Sequence, residues 1–335
     1  IDAAKLTAPQ TMEADVAIIG SGAGGGVAAE ILALAGLKVL LLEEGALRTS
    51  DSFKDMDEGR ALRELYQEGA ARATSDGAIA VLQGRSVGGS TTVNWTSSFR
   101  TPEPTLKFWA AEREVVGHGV EDMKPWFEQM EKRLDVMLWE AQNANNSVLK
   151  RGCDKLGWEA HSIPRNVRGC WNSGYCGFGC PVNAKQSMLT TTIPAALSRG
   201  AVLVSRARAD RLVWQGSRVS ALECTAMRGS GYDEGSARVR VTAKHFVVAG
   251  GAINSPALLL RSKMPDPHGR LGRRTFLHPS LISGADMGGK VDADTIARLR
   301  EMNIDSGEGL ATLAAILSNP DAYSTAQLQT LLGFS

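Results

Sequence analysis

The sequence predicts an α/β fold built on a doubly wound parallel sheet, to which a β-meander and a helical insertion are added. Three observations predict it. Val16-Ala17-Ile18-Ile19 is a short apolar run that stops at Gly20. Gly24 to Gly36 carries Val27, Ala28, Ile31, Leu32 and Ala35 at helical spacing. Lys38 to Leu42 is a second β-rich run. Strands buried on both faces read as continuous apolar runs, and strand, turn, helix, strand makes a βαβ unit with a right-handed crossover.

Each later stretch has its own texture. Gly36 is suited to cap the C-terminus of the first helix. Residues 50–83 are polar and Ala-rich, without a sharp period. Residues 104–165 read as mostly helical, with Trp109, Trp126, Phe127 and Trp139 set among charges. Residues 166–185 form a Gly/Cys/Asn loop. From Ala201 the pattern becomes strand-like at 202–204, 211–214, 219–222 and 237–243, with turn residues between, which predicts a meander. Residues 245–249 read as a further buried strand leading into Gly250-Gly251. Short amphipathic helices are expected at 294–302 and 309–317, and Ser324 with Gln327 makes a capping box. The division expected is 12–103, 104–190 as the helical insertion with its Cys-rich loop, 191–284 as the remainder of the sheet domain, and 285–335 as a helical tail.

Composition removes some function classes. The 335 residues carry 37 basic and 36 acidic side chains, a net charge of +1, which argues against a nucleic-acid binder or a polybasic anchor. No apolar run approaches the roughly 20 residues of a membrane-spanning helix. The chain opens on Ile1 and not Met, so a preceding segment is expected. The cytoplasm or a membrane periphery is the expected location.

Gly20-Ser21-Gly22-Ala23-Gly24-Gly25 matches G-x-G-x-x-G between the first strand and the first helix. Gly20 permits the tight turn, Gly22 lets backbone approach a pyrophosphate, and Gly25 lets helix and strand pack closely. Ala23 and Gly24 open the helix, whose N-terminal N–H groups and dipole attract phosphate. Glu43 ends the second strand about 20 residues on, where a carboxylate accepts from ribose hydroxyls. Glu44 is the neighbouring candidate, on the opposite face of the strand. These features make the predicted sheet Rossmann-like, and they do not separate NAD from FAD.

Later residues do separate them. Gly84-Arg85-Ser86-Val87-Gly88-Gly89-Ser90-Thr91-Thr92-Val93-Asn94 resembles the first signature of the glucose–methanol–choline (GMC) oxidoreductases, the segment that lies along the flavin. Phe99 and Pro102 keep the family's aromatic-x-x-Pro ending one residue late. The segment 251–262 resembles the second signature, with Lys263 in place of the usual Gly. Leu271-Gly272-Arg273-Arg274 with His278-Pro279 resembles the next landmark.

The resemblance implies an FAD-binding fold and oxidation of alcohols at CH–OH, with hydride passing to flavin. It implies cofactor contacts from Gly20, Gly22, Ala23, Gly24, Gly25, Glu43, Glu44, Arg85, Gly88, Gly89, Ser90, Asn94 and Gly250. The family's catalytic histidine belongs to a C-terminal stretch that is not matched here. His118, His161, His245 and His268 stand in other contexts and read as surface or packing residues, and His278 is a landmark residue and not the base. The expectation is a chain that does not turn over alcohol alone, with a flavin-binding or electron-transfer fragment as the second reading.

Cys170, Cys176 and Cys180-Pro181 give C-x5-C-x3-C-P, a spacing similar to that of the family's sugar dehydrogenases, which carry a three-iron cluster relaying electrons to a cytochrome. A disulfide or plain loop thiols are the other readings, since long-chain alcohol oxidases also have a cysteine-rich stretch there. Cys153 and Cys224 read as small buried hydrophobes. Asn94 and Asn145 begin N-x-S/T triplets, and burial in the flavin motif argues against glycosylation at Asn94. Trp95, Trp109 and Trp171 are read as core residues, with an apolar channel for a bulky alcohol as the other reading.

Overall fold

The computed structural model describes residues 1–139, 144–229 and 232–276. The chain divides into two units, Ile1–Trp139 with Ile163–Ser280, and Glu140–Ser162 with Leu281–Ser335. The expected helices at 294–302 and 309–317, the capping box at Ser324, and His278 lie outside the described residues.

In chain order, the elements are β1 (Gln10–Ile19), α1 (Ala23–Leu34), β2 (Val39–Leu42), α2 (Ser50–Phe53), α3 (Glu58–Leu65), α4 (Ser90–Val93), α5 (Glu103–Arg113), α6 (Val120–Arg133), β3 (Val136–Leu138) and α7 (Ala144–Leu156). They continue with β4 (Pro164–Asn166), α8 (Thr192–Ser198), β5 (Val202–Val204), β6 (Ala207–Gln215), β7 (Arg218–Arg228), β8 (Asp233–Val248) and α9 (Gly251–Arg261). Within the second unit, α7 is the described element.

The main sheet has six strands in the order β5-β2-β1-β8-β7-β6. The four from β5 to β8 are parallel, and β8, β7 and β6 form an antiparallel meander continuous with them. Period-two alternation sorts the strand residues between two cores. Val16, Ile18, Val39 and Leu41 pack with Ala29 and Ala33 of α1 and Ile193 and Ala196 of α8. Ala17, Ile19, Leu40 and Leu42 pack with Leu212, Leu222, Val239 and Val241 of the meander and Leu258 of α9. Each Val, Leu or Ile among them contributes about 1.5–3 kcal/mol when fully buried. A smaller core of Phe53, Met56, Ala61, Leu65, Tyr66 and Val93 lies beneath the loops that follow β2.

Three readings are corrected. The runs at 237–243 and 245–249 are one strand, β8. Lys244 does not interrupt it, because the residue is exposed and its Nζ reaches Asp15 of β1 at 2.7 Å. β1 begins at Gln10, six residues before its apolar run, because Gln10–Glu13, exposed except at half-buried Met12, pairs with Val239–Thr242. Trp95, Trp109 and Trp171 are not core residues: they are 58%, 41% and 41% exposed. The reason at Trp109 is that α5 buries Leu106 and turns the indole outward.

Candidate functional site

A cleft of 690 Å³ opens beyond the C-terminal ends of β1, β2 and β8, the position at which open parallel sheets bind ligands. Its size falls within the range of small-molecule and cofactor sites. Six separate stretches of chain line it: Ile19–Gly24, Leu42–Glu44, Gln67 with Arg72 and Gln83–Gly84, Gly89–Thr91, Ala207–Asp210, and Val248–Gly251 running on along α9 to Arg261.

Two glycine-rich turns meet on its floor. A Cβ on Gly89 would lie 2.8 Å from Gly22 Cα, and Gly89 has φ of +56°, so a side chain there is excluded by both space and conformation. Gly20, at φ +100°, would carry a Cβ 2.5 Å from the Ala249 carbonyl oxygen. Gly25 faces the Gly20 carbonyl so closely that a Cβ would overlap it, which is how α1 is drawn onto β1. The N-cap of α1 is Gly22 and that of α9 is Gly250, and no side chain caps either helix. Two positive helix ends therefore point at one cleft.

Ser21 ties the turns together. Its hydroxyl donates to Glu43 Oε2 at 2.6 Å and accepts from the Gly88 N–H at 3.0 Å. The Ser21 N–H also donates to Oε2, and the Gly45 N–H donates to Glu43 Oε1 at 2.8 Å. Burial pushes the Glu43 carboxyl up, opposed by these hydrogen bonds. Glu44 is more exposed and lies 3.7 Å from the Arg85 guanidinium. Both acids line the cleft.

The sequence-expected residues divide by position. Gly20, Gly22, Ala23, Gly24, Glu43, Glu44, Gly89, Ser90 and Gly250 line the cleft. Gly25, Arg85, Gly88 and Asn94 do not line it. Arg85 is 2% exposed, with its guanidinium 3.8 Å from the ring centroid of Tyr232. Asn94 has a buried Oδ1 that meets no partner. Sequence reading missed Arg72, Gln83 and Asn254. Arg72 donates to Gln83 Oε1 at 2.8 Å and to Asn254 Oδ1 at 3.0 Å, so it ties residues 67–83 to α9 beside the cleft. No local motif marks Arg72 or Gln83, whereas Asn254 lies within the segment 251–262 that resembles the second signature and is 182 positions from Arg72.

A family model described as GMC oxidoreductase matches residues 62–280, which include the flavin-type loop, the cysteine loop, the meander and α9. The chain belongs to the GMC oxidoreductase family. That family is FAD-dependent. A long-chain-alcohol oxidase of Arabidopsis thaliana is 32% identical to this GMC chain over 81% of it and 37% of the relative. A GMC-type oxidoreductase of Mycobacterium tuberculosis is 34% identical over 86% of the chain and 44% of the relative. The chain thus spans well under half the length of these relatives. Pyridoxine 4-oxidase from Mesorbium loti shares the fold, with a TM-score of 0.54 and 21% identity over 74% of this chain and 51% of that one.

The donor set suits the family's cofactor. Backbone N–H groups at two uncapped helix ends fit a diphosphate, and the paired glycines leave room where a Cβ would fill the cradle. The three-iron cluster, by contrast, finds no support. Among the described residues no group of three His, Cys, Asp or Glu side chains is placed to hold a metal. The three sulfurs have separate neighbours: the Asn172 N–H at Cys170, Arg165 at Cys176 and the Lys185 N–H at Cys180. All three are free thiols in the structure. Cys224 is buried as expected, and burial pushes its thiol far up, whereas Cys153 is half-buried.

Lys185, also missed, sits beneath the flavin-type loop and is 3% exposed. Its amine donates to the carbonyls of Thr92, Asn94 and Cys176 at 2.9, 2.6 and 2.6 Å. Burial pulls the amine down to about 8.

His118, His161, His245 and His268 are exposed, and no imidazole of the described residues lines the cleft.

Proposed function

We propose that this chain forms the cofactor-holding part of an FAD-dependent oxidoreductase that acts on the CH–OH group of alcohols. One observation carries the reading: the turn at Gly20–Gly25 and the loop at Gly84–Asn94 close on each other at the floor of a single cleft. In this reading the α1 N-terminus from Gly22 to Gly25 holds the diphosphate, with Gly20 shaping the turn. Glu43 accepts from the ribose hydroxyls, with Glu44 next to it as the neighbouring acceptor. Arg85, Gly88, Gly89, Ser90 and Asn94 shape the seat of the ring system, and Gly250 places a second helix N-terminus against it. Bound flavin supplies the hydride acceptor. The chain's own part is to bind, orient and screen from water.

The long-chain-alcohol oxidase relatives support an apolar alcohol as the substrate. We read residues 12–103 and 191–284 as the FAD-binding part, 104–190 as the insertion and 285–335 as a tail. We read the chain as one that holds flavin without turning over alcohol by itself, since the family's catalytic histidine belongs to a stretch that is not matched here. A proton acceptor is needed as hydride leaves carbon.

The test is direct. Heat-released cofactor from the purified chain is expected to show a flavin spectrum and FAD mass. A nicotinamide, or protein with no affinity for FAD, would sink the cofactor reading. Steady-state oxidation of long-chain alcohols by the isolated FAD-loaded chain, at rates typical of enzymes of about 1 per second or more, would sink the claim that it does not act alone.

A further inference from the structure

Residues 66–85 leave the small core at Tyr66, run outward, and return so that their two legs pair. The Gln67 N–H donates to the Gln83 carbonyl at 2.9 Å, the Val81 N–H to the Arg72 carbonyl at 2.8 Å, and Tyr66 bridges Gly84. This strap supplies Gln67, Arg72, Gln83 and Gly84 to the cleft wall. Its foot is strained. Glu68, Gly69 and Ala70 follow one another at φ of +54°, +62° and +68°, and two of the three carry a Cβ. Consecutive left-handed residues do not hold themselves, so surrounding structure must fix them.

Tyr232 fixes them. It stands in the connection between β7 and β8, far away along the chain. Its hydroxyl accepts from the Gly69 N–H at 2.6 Å and donates to the Tyr66 carbonyl at 2.6 Å. Its ring lies against the Arg85 guanidinium at 3.8 Å, at the other end of the strap. One side chain thus holds both ends of the strap, while Arg72 ties the middle to Asn254 of α9.

We propose that Tyr232 is a positioning residue for the cofactor: through Gly69, Tyr66 and Arg85 it holds the strap in the wall of the cleft and so slows release of the bound nucleotide. The proposal rests on the FAD reading above. A purely structural role would weaken the whole fold. A positioning role acts on release and on the strap alone.

The test uses the FAD-loaded chain and Tyr232→Phe, which keeps the ring on Arg85 and removes both hydrogen bonds. FAD release is followed by flavin fluorescence after dilution into a trap. Loss of hydrogen bonds of this kind is expected to speed release about tenfold or more. The melting temperature of the FAD-free variant should stay close to that of the FAD-free parent. Amide exchange should show FAD slowing exchange over 66–72 in the parent and not in the variant, with β1 and β8 alike in both. Release within about twofold of the parent overturns the proposal. So does an equal loss of stability in the FAD-free and FAD-loaded forms. If the variant does not fold, the parent alone decides: FAD that leaves exchange over 66–72 unchanged overturns it. A chain that takes up no FAD overturns the cofactor reading and this proposal together, whereas FAD uptake with unchanged release overturns this proposal alone.

Discussion

At the scale of single residues, the polar groups beneath the cleft explain more than those facing it. Lys185 places a cation where three carbonyls converge, two of them from the loop that closes the floor. Removing one partner of a buried charged network costs about 3–5 kcal/mol, so Lys185→Met should lower stability by that order in urea unfolding. The pH dependence follows from the direction of the shift. The folded amine releases its proton near 8, and the unfolded one near 10.4. Between those values the unfolded chain holds more protons, so this residue's contribution makes stability rise with pH. The stability gap between parent and Lys185→Met should therefore widen from pH 7.5 to about 9.5. A gap that narrows over that window would contradict a depressed amine. Neither Lys185 nor Ser21 was legible in the sequence as a site residue. Lys185 has partners roughly 90 and 10 positions away, and Ser21 is a variable position of its motif. The glycines were legible because each answers a local requirement, such as the approach of Gly89 to Gly22.

At the scale of elements, α1 shows how packing and binding share one helix. Its helical period was readable from spacing, but neither its closeness to α8 nor the face it buries was: Ile31 is 56% exposed, while Ala29 and Ala33 are buried. A Cβ on Gly26 would lie 2.8 Å from Thr192 Oγ1 and 3.0 Å from Met188 side-chain carbons, so α1 and α8 touch through a glycine. Replacing Gly with Ala in a helix ordinarily gains about 1 kcal/mol of propensity. Gly26→Leu gains similar propensity but must force α8 away, and overpacking costs about 1–3 kcal/mol or more. We expect a net loss of about 2 kcal/mol, measured by chemical denaturation, with weaker FAD retention because α1 also presents Ala23 and Gly24 to the cleft. A neutral or stabilised variant would show that α8 yields freely. Strand reading failed in a related way. The apolar signal reported where β1 and β8 are buried, and the exposed ends of both strands are held by cross-strand pairs that hydropathy does not register. The strap at 66–85 was missed because its shape depends on Tyr232 and Arg72 and not on any period of its own.

At the scale of the whole molecule, the cleft is where the chain's remote parts meet. Its walls come from β1, β2, the strap, the loop before α4, β6 and α9, so an occupant touches residues from Ile19 to Arg261. Such an occupant binds the folded state and has no counterpart in the unfolded chain, where those stretches are scattered. Its effect on stability is then set by mass action. At a free FAD concentration of about 100 times Kd, unfolding free energy should rise by about 2.7 kcal/mol, and at 1,000 times by about 4.1 kcal/mol. A titration of melting temperature against FAD, fitted with one site, should reproduce that logarithmic rise. A cleft joined from many segments also predicts which parts respond. Amide exchange should slow at the ends of β1, β2 and β8 and at the start of α9 together, since they share one ligand. Stabilisation confined to the βαβ unit would mean that the loop at 84–94 and α9 take no part in binding. The two glycine-rich turns would then be neighbours by packing alone, and the case for a flavin seat would fall even though the sheet and its topology would stand unchanged.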